Sequence, residues 1–349
     1  MKIFEQINTL LVGEKPFVCY AKPNETIGHL LVQNNSDLYE FSGQSGFVFM
    51  PFDAGIKVVL PFDICSFYLE EFVFSKKEPS INFKSSGNDE KLAFEVLVFN
   101  GIEEINKGIF EKVVVSRKIV LHEAIEVWET FQNLIAAYPT AFRYLFFHPK
   151  VGLWMGATPE QLVKICKNTF ETVALAGTQL YSDNLIWETK ELEEQQFVTD
   201  YIVAKVQDKV KNLNVTKVKS VKAGNLAHLK SIITGELTSE LQAIELVTTL
   251  HPTPAICGMP KEEAIAFILK NENYDRKYYS GFLGEWNKEK QSDLFVNLRC
   301  LEVQENKINI YVGCGITKDS NPEKEFIETE NKSMTMRNIL FSKKHLLNS

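Results

Sequence analysis

The chain has 349 residues, 45% of them hydrophobic and 24% charged, with a formal net charge of -7 at pH 7. That length supports a large core or two. No apolar run approaches a membrane span, and no basic block offers a nucleic-acid surface. The six cysteines, at 19, 65, 166, 257, 300 and 314, stand singly without zinc-ligand or redox-motif spacing, as expected of reduced thiols in a cytoplasmic protein. The opening stretch MKIFEQINTLLVGEKPF has one early Lys, then Glu5, and no small-residue cleavage site, so a signal peptide is not expected.

Residues 1 to about 90 show short apolar runs (PFVCYA, HLLVQ, GFVFMPF, KVVLPF) broken by turn signals, a strand-rich pattern. The polar stretch Ser75–Lys91 is expected to be a surface loop inserted in one sheet system. From Phe94 to Gly108 apolar residues recur at spacings of three and four, which predicts a helix. FEKVVVSRKIVL follows as a β-branched strand with Lys112 near its start. TFQNLIAAYP predicts a helix ended before Pro139, and FRYLFFH and GLWMGAT a hairpin. Thr158 and Pro159 suggest a short helical turn carrying Glu160, and TFETVALAGTQ a strand pair.

A long helix is predicted from about Thr189 to Leu213, on the stripe Val198, Ile202, Val206, Val210 and Leu213. Extended backward, the stripe reaches Glu194 and Glu191. Further on come strands around a turn at Ala223–Gly224–Asn225, a Pro-rich loop (HPTPAICG), and a helix from about Pro260. RKYYSGFLGEWN, DLFVNLRCLEV and KINIYVGCGI read as an antiparallel meander. A Gly-x-Gly turn at Gly313–Gly315 then leads to a helix with Asn321 as N-cap and Pro322 at its first position. There Glu325, Glu328 and Lys332 share one face. Strands come in runs, so the pattern favours an α+β fold.

Two helices thus turn carboxylates toward an apolar side, where unpaired charge is costly unless a metal, a ligand or one another satisfies it. The alternative is a solvated acidic first turn, which the helix dipole favours.

Taken in order, KVVVSR, GATPEQL, ALAGT, TKELEEQQFV, LAHL, HPTPAICG, RKYYSGFLG, NLRC and GCGITKDSNPEKEFIETENK resemble the motifs of the chorismate-utilising enzymes, over about Phe110 to Asn338. The resemblance implies large, mostly antiparallel sheets packed as a sandwich with helices outside. It implies a single chorismate-binding domain over residues 1–349, with a variable strand-rich part (1–90) and the catalytic motifs at 110–338. It also implies a Mg²⁺ cofactor held by Glu194 and Glu328, with Glu191 and Glu325 lining the site, a set without His or Cys that suits this hard cation.

The second carboxylate of chorismate is implied to meet Arg299 and the backbone of Gly313, Gly315 and Ile316, with Gly177, Thr178, His228, Ala255, Tyr279 and Lys332 also at the substrate. Lys112 falls where isochorismate synthases carry the lysine that activates water, and Glu160 where the proton donor sits. Ala176 replaces the lysine nucleophile of aminodeoxychorismate synthases, and Ala255 matches isochorismate synthases that stop before pyruvate elimination. The expected reaction is therefore chorismate to isochorismate, for menaquinone or a siderophore, with menaquinone preferred. Neither an amidotransferase partner, a nucleic acid nor a membrane is expected. The rivals are a salicylate synthase, an anthranilate synthase component and a non-catalytic binding protein. The chain departs from the family at Gln195, where His is usual, and at Gln179, where Arg is usual.

Overall fold

The computed structural model describes residues 3–79, 81, 86–182, 185–223 and 226–342. In chain order the first elements are α1 (Ile3–Val12), β1 (Phe17–Ala21), β2 (Ile27–Gln33), β3 (Tyr39–Glu40), β4 (Gly46–Met50), β5 (Val58–Pro61) and β6 (Cys65–Glu71). Next come α2 (Asn88–Asn106), β7 (Lys112–Leu121), α3 (Val127–Ala137), β8 (Phe142–His148), β9 (Gly152–Thr158), β10 (Gln161–Cys166) and β11 (Thr169–Leu180). Then follow α4 (Thr189–Val206), β12 (Lys211–Val215), β13 (Lys219–Ala223), β14 (Leu226–Glu236), α5 (Glu240–Leu250), β15 (Gly258–Met259) and α6 (Lys261–Asn271). The last are β16 (Phe282–Lys288), β17 (Gln291–Val296), β18 (Cys300–Gln304), β19 (Lys307–Ile316) and α7 (Pro322–Arg337).

The strands form two antiparallel sheets, ordered β15-β7-β19-β18-β9-β8-β1-β2-β6 and β12-β14-β11-β10-β17-β16-β4-β5-β3, with β13 on β14. The α+β expectation holds. Strand alternation sorts the core. Val18 and Tyr20 of β1 join Phe47, Phe49, Phe142, Tyr144 and Trp154 in an aromatic layer fed by both sheets. Phe17, Cys19 and Ala21 point the other way, into a layer shared with α1, α3 and α7. The far side of the second sheet is covered by α4 and α5 through Ile202, Val206, Leu246 and Leu250. A fourth cluster packs α2, α6 and α7 on the end of β7 and β19. Strands from the first 71 residues belong to both sheets, with β1 and β2 inside the first.

Several predicted elements need correction. α1 was not expected, because IFEQINTLLV is short and precedes a run of strands. The α4 helix stops at Val206, and Lys211–Val215 forms β12, because Lys211, Asn214 and Val215 pair with β14. Thr169–Gln179 is not a strand pair but most of a single strand, β11. Glu160 is not in a helical turn: the chain leaves β9 in one sheet and enters β10 in the other across Pro159 and Glu160. The supposed meander is likewise divided. β17 belongs to the second sheet and β18 to the first, and the chain crosses between them at Asn297–Arg299, with Arg299 at φ +48. Gly313–Gly315 is no turn, since β19 pairs with β7 through Ile316. The turn expected at 223–225 includes residues 224–225, outside the described set.

Candidate active site

The two crossovers lie side by side, and they carry two of the expected site residues. Thr158 Oγ1 donates to Val296 O at 2.6 Å and accepts from Glu160 N at 3.3 Å. Val296 N donates to Glu160 O at 2.9 Å, and Ala157 N donates to Arg299 O at 3.0 Å. Asn297 locks the second crossover, accepting from Tyr144 Oη at 2.7 Å and donating to Tyr278 O at 2.9 Å. Glu160 and Arg299 are therefore held by backbone that both sheets fix.

Lys112 opens β7, and its Nζ reaches to 3.6 Å from Glu194 Oε1 on α4. The stem lies over Gly315, where an added Cβ would stand 3.1 Å from Lys112 Cε. Lys332, on α7, pairs with Glu328 Oε1 at 2.6 Å and donates to Gly313 O at 2.9 Å. Burial pushes the Glu160 carboxyl above its ordinary value of 4.5, and the positive charges of Lys112 and Lys332 partly offset this. The Glu160 carboxyl is thus close enough to both lysines to feel their charge.

Gly313 and Gly315 can offer a ligand only their backbone. Ser116, opposite Gly313, sends its N–H to Glu272, and Val114, opposite Gly315, sends its N–H to Cys257 O. Both peptides of each pair therefore point away from the β7–β19 ladder. Since β18 ends opposite Tyr311, β18 does not pair with β19 from Gly313 to Gly315, and Lys332 of α7 meets that edge at Gly313 O. At Ile316 alternation turns the peptide into the β7 ladder, and the side chain is fully buried among residues of α2, α6 and α7.

Arg299 is half-buried; its Nη1 donates to Thr335 Oγ1 at 2.8 Å, and burial lowers its pKa. Tyr279 is buried and stacks on Tyr311 at 5.5 Å between centroids. Its hydroxyl abuts Gly313, 2.9 Å from where a Cβ would stand. Gly177 sits at a register shift in β11 with φ +68. An added Cβ would meet Glu191 Cβ at 3.1 Å, so glycine is what lets the start of α4 lie against β11. His228 pairs with Thr178 across β14 and β11, while the Thr178 side chain lies outside the described set. Ala255 is exposed and lines the same small cavity as Glu160.

The carboxylates are less buried than the periodicity suggested. The buried stripe of α7 is Phe326, Thr329, Ser333 and Met336, one position on from Glu325, Glu328 and Lys332. Glu328 and Glu194 are about half exposed, so they reach solvent rather than enter the core. Glu325 is half-buried; desolvation, and next to it the Glu328 charge, raise its carboxyl, against lowering hydrogen bonds to Ser320 and Cys314. Glu191 Oε2 is buried with no hydrogen-bond partner. Among the described residues no three His, Cys, Asp or Glu side chains converge as a metal cage. The donor set nevertheless fits Mg²⁺, which takes one or two carboxylates and keeps several waters, and the orphaned Glu191 oxygen is the kind of acceptor such hydration would satisfy.

The two departures from the family pattern have local roles. Gln195 Nε2 donates to Thr199 Oγ1 and Ser231 Oγ, both at 2.9 Å, tying α4 to β14. Gln179 Nε2 donates to Ile186 O at 3.0 Å. Sequence reasoning missed the buried pair Glu272 and Arg276, joined at 2.6 Å. Arg276 also donates to Val114 O and Ile256 O, and Glu272 accepts from Ser116 N and Oγ, so the pair braces β7 and the 251–259 loop. Their i, i+4 spacing was the available signal, hidden in the polar run NENYDRK.

A family model described as chorismate binding enzyme matches residues 68–341. The chain belongs to the chorismate-binding enzyme family. The isochorismate synthase DhbC of Bacillus subtilis (strain 168) is 32% identical over 262 residues, 68% of this chain and 65% of that protein, just under two thirds of its length. The isochorismate synthase EntC of Escherichia coli (strain K12) is 28% identical over 263 residues, 72% of this chain and 67% of the relative. Among solved structures, the DhbC of Bacillus anthracis, described as a 2,3-dihydroxybenzoate-specific isochorismate synthase, superimposes with a TM-score of 0.76 at 25% identity. That match covers 95% of this chain and 98% of the other.

Proposed function

We propose that this chorismate-binding enzyme is an isochorismate synthase: water adds at ring C2 of chorismate while the C4 hydroxyl leaves. The observation that carries the reading is that Lys112 lies near enough to the Glu160 carboxyl for its charge to act on it. Hydroxide is a poor leaving group and water a poor nucleophile, so the reaction needs an acid and a base together. Lys112, in its neutral form, takes the proton from water. Glu160, whose carboxyl burial shifts upward, gives its proton to the departing hydroxyl. Arg299 and the β19 edge at Gly313 and Gly315 hold a substrate carboxylate, Tyr279 contacts the substrate, and Lys332 orders Glu328. Bound Mg²⁺, held by Glu194 and Glu328 with Glu191 and Glu325 near it, supplies electrostatic binding of the ring carboxylate. Since the nucleophile is water, no ammonia-donating partner is required. Ala176 and Ala255 support the same reading, because neither can act as a nucleophile or hydroxyl donor.

The test is to incubate purified protein with chorismate and Mg²⁺ and identify the product by chromatography. Isochorismate is expected. Salicylate as the main product, or anthranilate when ammonia is added, overturns the assignment, and full turnover after EDTA treatment removes the metal from it. Menaquinone and siderophore pathways differ in what consumes isochorismate, so the product assay is common to both.

A further inference from the structure

Beside Glu160 lies a cavity of about 30 Å³. A water needs roughly 10–15 Å³ of such space, so there is room for one or two. Its wall includes Glu160, Tyr201 and Lys205 of α4, Thr253 and Ala255 of the Pro-rich loop, and Leu175 of β11. Two polar atoms of the wall residues, Tyr201 Oη and Thr253 Oγ1, are buried with no hydrogen-bond partner. Buried hydroxyls left unpaired cost stability, and in native structures they are usually satisfied by ordered water. Both residues line a space large enough for water, and an ordered water is the usual partner of a buried hydroxyl that no protein group satisfies. Burial, with the charges of Cys257 and Glu262, pushes the Tyr201 phenol up to about 12, so it stays protonated at neutral pH and can donate. Leu175 and Lys205 of its wall are exposed, so the wall extends to the protein surface.

We propose that this cavity is a water site serving Glu160: Tyr201 and Thr253 hold one or two waters that carry a proton between solvent and the Glu160 carboxyl. The proposal rests on the reading of Glu160 as the acid. Each turnover leaves Glu160 as a carboxylate and Lys112 as an ammonium. The reset needs one proton delivered to Glu160 from bulk water and one released to bulk water by Lys112, so the cycle is proton-neutral. Tyr201 and Thr253 are positioning residues in this scheme, since they act through water and do not touch the reacting atoms.

The test compares Tyr201→Phe, Thr253→Val and the double variant with wild type, in the full chain with chorismate and Mg²⁺. The double variant is expected to lose about tenfold in kcat, with KM within twofold, and to show a larger solvent deuterium isotope effect on kcat as proton delivery becomes limiting. Its melting temperature should not rise. Unchanged kcat and isotope effect, or a higher melting temperature, would mean that the cavity is dry and the hydroxyls idle, and the proposal falls. A high-resolution crystal structure of wild type supplies an activity-independent answer. Water bridging Tyr201 Oη and Thr253 Oγ1 supports the site, and an empty cavity overturns it. Wild type that fails to make isochorismate defeats the reaction assignment instead, and the density still decides the water site.

Discussion

Lys112 Nζ stands 3.6 Å from Glu194 Oε1, a contact between the first residue of a strand and the second turn of a helix. Both side chains are partly exposed, so the pair adds little to stability. Its consequence is chemical: an ammonium paired with a carboxylate cannot be a base, and a cation bound at Glu194 would compete with Lys112 for the same oxygen. Lys112→Ala is expected to lower kcat by at least about 10³-fold while chorismate affinity changes by only a few fold. Lys112→Arg should be as inactive, because a guanidinium keeps its proton. Titration calorimetry and single-turnover assays separate the two effects; substantial turnover in either variant contradicts the role.

Glu160→Gln keeps the size of the side chain and removes the acid. Loss of about 10²–10⁴ in kcat is expected, in both reaction directions. The folded carboxyl titrates above 4.5, so its acid form is present below that raised value and is lost as pH rises through it. Activity that needs the acid form therefore falls on the alkaline side. The stability sign is the same. The contribution of this group is fully present below its unfolded value and is lost as pH rises through the folded one, because a buried carboxylate is costly. Glu160→Gln should thus melt higher than wild type at pH 8, with the gap closing toward pH 5. A thermal series across that range measures it, and a gap that widens in acid would contradict the burial argument.

Gly313 is confined by three neighbours, Val115, Tyr279 and Ser116, the last of which would have its Cβ 3.0 Å from an added Cβ. A Cβ there would stand 2.7 Å from Val115 O and 2.9 Å from Tyr279 Oη, and the first of these is strand backbone that cannot swing aside. Gly313→Ala is expected to cost roughly 1–3 kcal/mol in urea unfolding and to raise KM by displacing that edge of β19. Gly315→Ala meets only the flexible Lys112 stem at 3.1 Å, so its stability cost should be smaller and its effect on kcat larger.

The sequence carried the α7 cap in full: Asn321 accepts from Lys324 N at 3.0 Å, and Pro322 occupies the first turn. It also carried the α+β pattern and the motifs that list the site residues. It did not carry the crossovers. DLFVNLRCLEV alternates like one strand, and only the lock on Asn297 and the positive φ of Arg299 divide it between sheets. The same limit applied to Glu160, since Thr-Pro-Glu is equally a helix start and a strand-to-strand corner. Periodicity placed Glu325 and Glu328 on the buried stripe of α7, but a helical stripe is wide enough that a shift of one residue turns a buried side chain into one at the rim.

Glu272 and Arg276 are both almost wholly buried, and their interaction is of the kind whose removal is most costly. Burial of the pair alone opposes charge, but each ion supplies several hydrogen bonds to the other or to β7 and the 251–259 loop. Truncating one partner leaves an uncompensated charge. Glu272→Gln or Arg276→Met should each cost about 3–5 kcal/mol, and the combined variant less than the sum of the two. Because the pair holds Val114 and Ser116, two and four residues from Lys112, any folded single variant should also lose kcat with KM little changed. Chemical unfolding and steady-state kinetics on the three variants check both effects. Strictly additive stability losses would show that the two side chains act independently.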